Sequence, residues 1–425
     1  MGTGNETGFM LIISATELYY HPHRSTQEMR FFLFFLIWFS VLGLAYFYVG
    51  RRLIKPARLE GRAKRLAWLG TAFWFLLPIV PFLFFLNGVQ STTVDLVSWG
   101  GYVALGLFSL AFTFVLIRDA VLVIRSGGKR ISNLIRRRSS RESNGTDIER
   151  RRFLLYSTNI GIVGGAAVLT GYGVYESHKR ADVEEVDISL KNLPPEFDGF
   201  RIVQFSDIHV GPTIKRRFVE GIAEQVDGLK ADCLVFTGDL VDGSVSWLRD
   251  DVAPLKDLVA PFGKFFITGN HEYYSGAMPW IEEAGRLGFD VLLNEHRIVQ
   301  HGEGRIILAG VTDYGAGDFI PEQTSNPAMA LANAPTGVVR ILLAHQPRSI
   351  FEAARVGIDL QLSGHTHGGQ FFPWNYLATL SQPYIKGLHR YDKTWVYVNR
   401  GTGYWGPPLR LGIPPEITVI KLVRE

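Results

Sequence analysis

Five short strings of Asp, Asn and His in the second half of the sequence have the residue types that bind divalent metal ions. They are Asp207-Ile208-His209, Gly238-Asp239-Leu240-Val241-Asp242, Gly269-Asn270-His271-Glu272, Ala344-His345 and Gly364-His365-Thr366-His367. Oxygen and imidazole ligands without a thiolate suit a hard or borderline ion such as Mn, Fe, Zn or Mg. The one cysteine, Cys233, excludes a cysteine-based metal site. The strings therefore indicate chemistry assisted by a divalent ion.

The order of the strings carries more weight than any one of them. A solitary Asp-x-His is more often a turn or a surface pair, and Asp242 is expected to hold its loop by hydrogen bonds rather than to bind metal. Glycines beside the ligands, such as Gly238 and Gly364, permit tight turns and a close approach of the backbone. All five strings in one ordered series would hardly arise by chance.

Each string directly follows a short apolar run of the kind that forms a buried strand. The predicted strands are 201–205, 233–236, 264–267, 306–309, 340–343 and 359–362, with predicted helices at 218–229 and 279–287. Open α/β sheets bind ligands at the carboxyl ends of their strands, where these side chains would lie. The alternation predicts an α/β domain whose sheet layers are covered by helices.

Over residues ~200–370 the pattern resembles that of the calcineurin-like metallophosphoesterases, and no element of the family's ligand set is missing. The resemblance implies a four-layer α-β-β-α sandwich that holds two divalent metal ions. By the same resemblance, Asp207, His209 and His367 bind the first metal, Asn270, His345 and His365 bind the second, and Asp239 bridges both. His271 would be catalytic, lying over the phosphate without binding metal.

The closing stretch resembles a bacterial, membrane-associated branch of that family. The matching strings are residues 397–403, 408–410 and 415–417. Some members of the branch are exported by the twin-arginine route, and some cleave UDP-2,3-diacylglucosamine. The resemblance implies hydrolysis of a phosphodiester or pyrophosphate by metal-activated water, with His271 as a candidate general acid.

The first half of the sequence has four apolar stretches, near 31–49, 67–85, 97–117 and 153–175. Each is close to the ~20 residues that cross a bilayer, and the first three are free of charge. The sequence therefore predicts about four N-terminal transmembrane helices in a membrane region over 1–175. A linker at 176–183 and the metallophosphoesterase domain at 184–425 would follow.

Basic residues predict the orientation of these spans. The connection at 87–96 has no Lys or Arg, whereas residues 118–152 carry eleven against four acidic residues. The positive-inside rule then places the basic connections in the cytoplasm. We therefore expect a protein of the bacterial cytoplasmic membrane whose catalytic domain is extracytoplasmic. Residues 184–425 carry 22 Lys and Arg against 29 Asp and Glu, which counts against nucleic acid as a partner.

Arg150-Arg151-Arg152-Phe153-Leu154, just before the fourth span, resembles a twin-arginine export signal. An ordinary positive-inside flank explains the string equally well. Both interpretations put the second half of the chain outside.

The substrate is less well specified than the reaction. Residues 371–377, with Leu380 and Tyr384, form either a loop packed on the core or an apolar lip that dips toward the bilayer. A lip would suit a lipid-linked phosphate ester. The alternatives are a UDP-2,3-diacylglucosamine-type pyrophosphatase that faces the cytoplasm, a nuclease, or an inert ligand-binding sensor with this fold. The complete ligand set counts against the sensor.

Overall fold

The computed structural model describes residues 22–135 and 145–425, which form twelve α-helices and twelve β-strands. The helices are α1 (Pro22–Ile54), α2 (Gly61–Leu76), α3 (Ile79–Leu86), α4 (Thr92–Ile135), α5 (Gly145–His178), α6 (Arg216–Gly228), α7 (Val245–Val252), α8 (Asn270–Ser275), α9 (Ala277–Arg286), α10 (Pro327–Ala330), α11 (Ile350–Arg355) and α12 (Trp374–Leu377). The strands are β1 (Asp182–Leu190), β2 (Arg201–Phe205), β3 (Cys233–Phe236), β4 (Lys264–Phe266), β5 (Asp290–Val291), β6 (Glu295–His301), β7 (Gly304–Gly310), β8 (Val339–Leu343), β9 (Leu360–Ser363), β10 (Gly387–Tyr391), β11 (Thr394–Val398) and β12 (Glu416–Arg424).

Four segments of the described helices are long and apolar enough to cross a membrane, which confirms the predicted number. They are Phe35–Ile54, Gly61–Phe84, Thr92–Gly128 and Arg152–His178. The second is broken between α2 and α3 at Pro78, because proline cannot donate the helical hydrogen bond at that point. Helices α4 and α5 run far into the predicted connection at 118–152. Lys and Arg are good helix formers, so the end of an apolar stretch does not mark the end of a helix.

A charged cluster lies at Arg118 and Asp119, directly after the charge-free stretch at 97–117 and inside the longer apolar segment of α4. The Asp119 carboxylate accepts hydrogen bonds from the Tyr48 hydroxyl at 2.5 Å and from Arg118 at 2.8 Å. It also lies 2.6 Å from Nε of Arg52. Charged side chains near a bilayer are costly unless they are paired, and these pairs join α1 to α4.

The second half of the chain forms two six-stranded sheets. The first has the strand order β1-β12-β2-β3-β4-β5, and the second has the order β10-β11-β9-β8-β7-β6. Strands β2 to β5 are parallel, as are β11, β9, β8 and β7. Strand β12 pairs parallel with β1 and antiparallel with β2. The carboxyl ends of the parallel strands in each sheet therefore lie on one edge.

The two sheets pack face to face and are covered on both outer faces by helices. Residues such as Ile202, Val235 and Ile341 fill the space between the sheets. On the outer face of the first sheet, apolar residues of α6, α7 and α9 pack against β2 and β3. Residues of α10 and α11 cover the second sheet. This arrangement confirms the predicted four-layer α-β-β-α sandwich.

The six predicted strands are present within one or two residues, but the structure adds six others. Strands β1, β6 and β10 have alternating or partly exposed side chains, so they lack the continuous apolar run that marks a buried strand. Helix α5 ends at His178 and β1 begins at Asp182, so only three residues separate helix from strand.

Candidate metal centre

Five strand ends bring the predicted metal ligands together at the edge where the two sheets meet. Strand β2 leads to Asp207 and His209, β3 leads to Asp239, and β4 leads to Asn270 at the start of α8. Strand β8 of the second sheet leads to His345, and β9 leads to His365 and His367. The donor atoms within each of two groups, Asp207, His209 and His367, and Asp239, His345 and His365, lie within 4.8 Å of one another. The same holds for a third set that shares His209 with the first group and contains two residues predicted not to bind metal, Asp242 and His271.

The first group is almost completely buried. Nε2 of His209 lies 3.0 Å from Nε2 of His367, which in turn lies 3.6 Å from Oδ1 of Asp207. Nε2 of His209 is also 3.7 Å from Oδ2 of Asp239. The backbone N–H of His365 donates to both carboxylate oxygens of Asp207. These contacts aim several electron-pair donors at one small volume.

The second group adjoins the first through Asp239. Oδ2 of Asp239 lies 3.1 Å from Nε2 of His345, which is 3.2 Å from Nδ1 of His365. Nδ1 of His345 lies 2.7 Å from the Thr237 carbonyl oxygen and must donate to it. Burial lowers the pKa of His345, but the nearby carboxylates of Asp239 and Asp207 outweigh it and raise that pKa. In the neutral form, which a bound cation would favour, the bond to Thr237 keeps the proton on Nδ1 and leaves the Nε2 lone pair for the metal ion.

Two further observations fit a cation at the second group. The side-chain oxygen of Asn270 is buried without a hydrogen-bond partner, and a metal ion would satisfy it. Burial, reinforced by neighbouring His345, lowers the pKa of His365 to about 3. The imidazole of His365 is therefore neutral at ordinary pH, which is the form that binds metal. The donor set fits a divalent ion with nitrogen and oxygen ligands.

Five of the seven predicted ligands have a left-handed backbone conformation. They are Asp207, His209, Asp239, His365 and His367, with φ between 51° and 71°. Residues other than glycine rarely adopt this conformation, and such strain is concentrated at functional sites. Each of these residues turns the chain sharply after its strand. Gly364 permits the close approach of this backbone to Asp207 and Ser206, because a Cβ there would collide with both side chains.

His271 lies beside both groups and is held by Asp242. Nδ1 of His271 donates to Oδ1 of Asp242 at 2.5 Å, while Oδ2 of Asp242 lies 3.3 Å from Nδ1 of His209. Burial by itself lowers the pKa of His271, but the carboxylates of Asp242 and Asp239 outweigh it and raise that pKa to about 9. Bound cations would oppose this shift. His271 can therefore carry a proton on Nδ1, which bonds Asp242, while Nε2 makes no contact with that carboxylate.

Glu272 joins the two central loops, the one after β3 and the one before α8, a role that the sequence motif does not indicate. Its buried carboxylate accepts hydrogen bonds from the backbone N–H groups of Gly269 at 2.6 Å, Asp239 at 3.0 Å and Leu240 at 2.7 Å. The loop after β3 is thus fixed to the start of α8. The string Gly-Asn-His-Glu contains this residue, but only the fold reveals its partners.

Two aromatic side chains flank His271, which is buried. The rings of Tyr274 and Trp405 lie 5.1 Å and 5.4 Å from its ring, and both residues are half-exposed. The Gln370 side chain accepts a hydrogen bond from the backbone N–H of Trp405 and donates one to the backbone carbonyl of Trp405, both at 2.9 Å. Trp405 is therefore held firmly beside the candidate catalytic histidine.

The apolar residues after His367 contact the membrane helices. Phe371 is buried in a cluster with Leu110 and Ala111 of α4 and Ala166 of α5. The indole Nε1 of Trp374 donates to the Ser109 hydroxyl of α4 at 3.0 Å. Further along, Tyr376, Leu377 and Leu380 are exposed. The segment is therefore packed against α4 and α5 at its start and exposed at its end.

Several known proteins with similar sequences are metallophosphoesterases by name. Residues 200–369 match the family model described as calcineurin-like phosphoesterase. The chain is 33% identical to a protein of Danio rerio named "Transmembrane protein with metallophosphoesterase domain", over 97% of this chain and 94% of that protein. It is 37% identical to the Bos taurus protein of the same name, over 76% of this chain and 72% of that protein. An uncharacterized metallophosphoesterase of Helicobacter pylori is 38% identical, over 61% of this chain and 70% of that protein.

Proposed function

This chain belongs to the calcineurin-like metallophosphoesterases, and on that premise we propose that it is a membrane-anchored phosphoesterase that uses two divalent metal ions. The substrate class we propose is a phosphodiester or pyrophosphate carried on a lipid. The observation that carries the proposal is the pair of Asp and His clusters beside His271, at a site whose neighbouring loops pack against a transmembrane helix.

Within this proposal, the residues divide into metal ligands and one proton donor. Asp207, His209 and His367 would hold one ion, Asn270, His345 and His365 would hold the other, and Asp239 would contact both. The shared position of Asp239 is supported by its short distances to histidines of both groups. Such a cation pair lowers the pKa of an attacking water and stabilises charge on the phosphoryl oxygens.

His271 supplies the protein's own proton-transfer group. The Asp242 carboxylate fixes Nδ1 as the protonated nitrogen that faces away from the reaction, so Nε2 is left to contact the substrate. A protonated His271 can donate to the leaving alkoxide or stabilise charge on the phosphorus-bound oxygens. Glu272 keeps the backbone around Asp239 in place while this happens.

The lipid-linked substrate is supported by the surroundings of the site. Trp374 binds α4 inside the third span, and the exposed Tyr376, Leu377 and Leu380 follow it. Exposed aromatic and aliphatic side chains next to a transmembrane helix can lie in the interfacial region of a bilayer. A phosphate attached to a lipid would then reach His271 without leaving the membrane surface.

We propose that the domain at 184–425 is extracytoplasmic and that residues 1–175 form its membrane region in the bacterial cytoplasmic membrane. The domain packs on the part of α4 that precedes the basic residues at 118–135: Asp95 near the start of α4 binds Lys215 at 2.9 Å, and Ser109 accepts a hydrogen bond from Trp374. Arg150 and Arg151 could act as an export signal or as a basic flank. The orientation we propose is the same in either case.

Two other functions lead to different experimental results. A cytoplasmic UDP-2,3-diacylglucosamine-type pyrophosphatase would have the same site but the opposite orientation. An inert sensor would bind a phosphate ester without cleaving it. The buried His271–Asp242 pair favours catalysis, because a binding protein has no need of an oriented proton donor.

Removal of metal should abolish activity. For the full chain in lipid nanodiscs, treated with a chelator and then dialysed, we expect no release of phosphate from polyprenyl pyrophosphate or of nitrophenol from bis(4-nitrophenyl) phosphate. Added Mn²⁺ should restore both activities, because the chain's own residues cannot replace the cations. Full activity of the metal-free protein would refute the metal mechanism. Cleavage of the soluble ester alone would refute only the lipid-linked substrate.

The proposed orientation predicts which introduced cysteines react with a membrane-impermeant maleimide. Cys233 is buried, so it gives little background. In right-side-out vesicles, Val89→Cys and Lys386→Cys should be labelled, and Lys64→Cys should react only after permeabilisation. All three positions are exposed in the structure. Labelling of Lys64→Cys alone in sealed vesicles would instead favour the cytoplasmic pyrophosphatase.

A further inference from the structure

Leu409, Arg410 and Leu411 connect the transmembrane helices to the candidate metal centre, and we call them the Leu-Arg-Leu segment. Leu409 is fully buried in the cluster formed by α4, α5 and Phe371, and Leu411 packs against the same cluster. No catalytic chemistry requires two leucines here. Their position indicates a structural connection between two parts of the protein.

Two glycines make room for the leucines in the helix pair. A Cβ added to Gly106 of α4 would collide with Leu409. A Cβ added to Gly173 of α5 would lie 3.0 Å from Leu409 and 3.2 Å from Leu411. Small residues in transmembrane helices permit such close approach. The catalytic domain therefore fits into a specific notch between α4 and α5.

One backbone and one side-chain hydrogen bond fix the Leu-Arg-Leu segment and the preceding Pro408 to α5. The N–H of Arg410 donates to the carbonyl of Gly173 at 3.1 Å. The hydroxyl of Ser177, one turn further along α5, donates to the carbonyl of Pro408 at 2.9 Å. These bonds set the position from which the Arg410 side chain extends.

The Arg410 side chain is completely buried and extends toward the candidate ligands of the first metal. Its guanidinium donates to the carbonyl oxygens of His367 at 3.0 Å, Arg400 at 2.8 Å and Gly401 at 3.2 Å, and it also bonds that of Gly403. Nη2 lies 3.1 Å from Nδ1 of His367. A buried cation that is held by several carbonyls tolerates little displacement.

The loop at 400–403, whose carbonyl oxygens accept hydrogen bonds from Arg410, also supports Asp207. The N–H of Thr402 donates to the Ser206 carbonyl at 2.7 Å, and the N–H of Gly403 donates to the Asp207 carbonyl at 3.0 Å. A shift of the guanidinium would therefore reach His367 directly and Asp207 through the loop. Both residues belong to one candidate metal group.

We propose that Arg410 is a positioning residue for the first metal and that it is itself positioned by the docking of Leu409 and Leu411 between α4 and α5. The transmembrane helices thus contribute to metal retention as well as to anchoring. The inference rests on the proposed binuclear centre. It adds that the affinity of this centre depends on the packing of the membrane helices.

Gly106→Leu tests the connection from the membrane side. We expect the bound Mn²⁺ of the full chain in nanodiscs to fall from two ions to about one, with the affinity of the weaker site reduced roughly 10–100-fold, the usual effect of losing a group that orients ligands. Metal content would be measured by mass spectrometry after equilibrium dialysis. Gly100→Leu is the matched control, because a Cβ at Gly100 of the same helix meets nothing within 4 Å.

Two more variants keep the test decisive if Gly106→Leu folds poorly. The first combines Gly106→Leu with Leu409→Ala, which restores room between α4 and α5 and should recover the protein yield. The second, Arg410→Gln, leaves both leucines docked and should lower the metal affinity by itself. Arg410→Lys should not rescue it, since an ammonium cannot span the same carbonyls.

The outcomes separate this inference from the proposed function. If Gly106→Leu and Arg410→Gln fold and bind Mn²⁺ with wild-type affinity, the inference about Arg410 is wrong, while the proposed function stands. The same follows if Gly100→Leu loses as much metal affinity as Gly106→Leu. A wild-type chain that binds no divalent cation would overturn the proposed function and this inference with it.

Discussion

Asp239→Ala is expected to cause the largest loss of activity of any single ligand substitution, with kcat reduced by at least roughly 10³-fold. The carboxylate of Asp239 lies within 4 Å of an imidazole nitrogen from each of the two groups proposed as metal sites, His209 in the first and His345 in the second. Without the Asp239 carboxylate, the histidines of the two groups would have no negative charge between them. Turnover of bis(4-nitrophenyl) phosphate, measured together with bound Mn²⁺, gives the comparison.

The control for this variant is Asp227→Ala, which removes an exposed carboxylate from α6 and should leave turnover and metal content unchanged. Near-native turnover of Asp239→Ala would show that the carboxylate does not bridge two ions. A larger loss in Asp207→Ala than in Asp239→Ala would also contradict the bridging role.

His271→Ala should lower kcat by roughly 10²–10⁴-fold, the range associated with a lost general acid or base, while bound metal remains near two ions. The expectation follows from the His271–Asp242 hydrogen bond, which leaves Nε2 available for the substrate. The effect should be smaller for nitrophenyl esters, because nitrophenolate is a good leaving group and needs little protonation. Parallel kinetics on a nitrophenyl ester and an alkyl ester would measure this difference.

Two further variants show how the kinetic result for His271→Ala should be interpreted. His301→Gln alters an exposed histidine of β6, away from the site, and should behave like the wild type. Asp242→Asn should reproduce part of the His271→Ala defect, since it weakens the orientation of the ring. A His271→Ala protein that loses one metal ion would identify His271 as a ligand instead of a proton donor.

The ligand strings could be found in the sequence because each one directly follows a buried strand. Asp207, Asn270 and His345 mark the ends of three such strands, and parallel strands place their ends on a common edge. Local pattern was therefore enough to predict an α/β domain and to bring together residues that are far apart in the chain, whereas the four-layer sandwich was implied by the resemblance to the family. Whether those residues bind metal is tested by the experiments above.

The partners that hold the ligands could not be predicted in the same way. The carboxylate of Glu272 binds the backbone of Asp239 and Leu240, more than thirty residues earlier, and Arg410 binds backbone carbonyls that become neighbours only in the folded domain. Such contacts leave no periodic signal. Strand β1 was missed for another reason, since its side chains alternate between exposed and partly buried positions.

The docking of the domain on the membrane helices was also invisible in the sequence. Gly106 and Gly173 are typical of small residues in membrane spans, and their spacing says nothing about which partner fills the space. Only the folded chain brings Leu409 to both glycines. Similarly, the sequence could not distinguish whether Phe371 is packed or exposed.

The place of β12 in the first sheet has a consequence for biosynthesis. Strand β12 lies between β1 and β2, yet it follows every other described strand in the chain. Until the ribosome has delivered residues 416–424, neither neighbour has its partner, and β2 presents an open edge that can pair with other chains. Helix α5 is synthesised long before that point, so the nascent domain spends this interval tethered at the bilayer and incompletely folded. Chaperones that shield strand edges at the membrane should therefore influence the yield of this protein more than they influence its final stability.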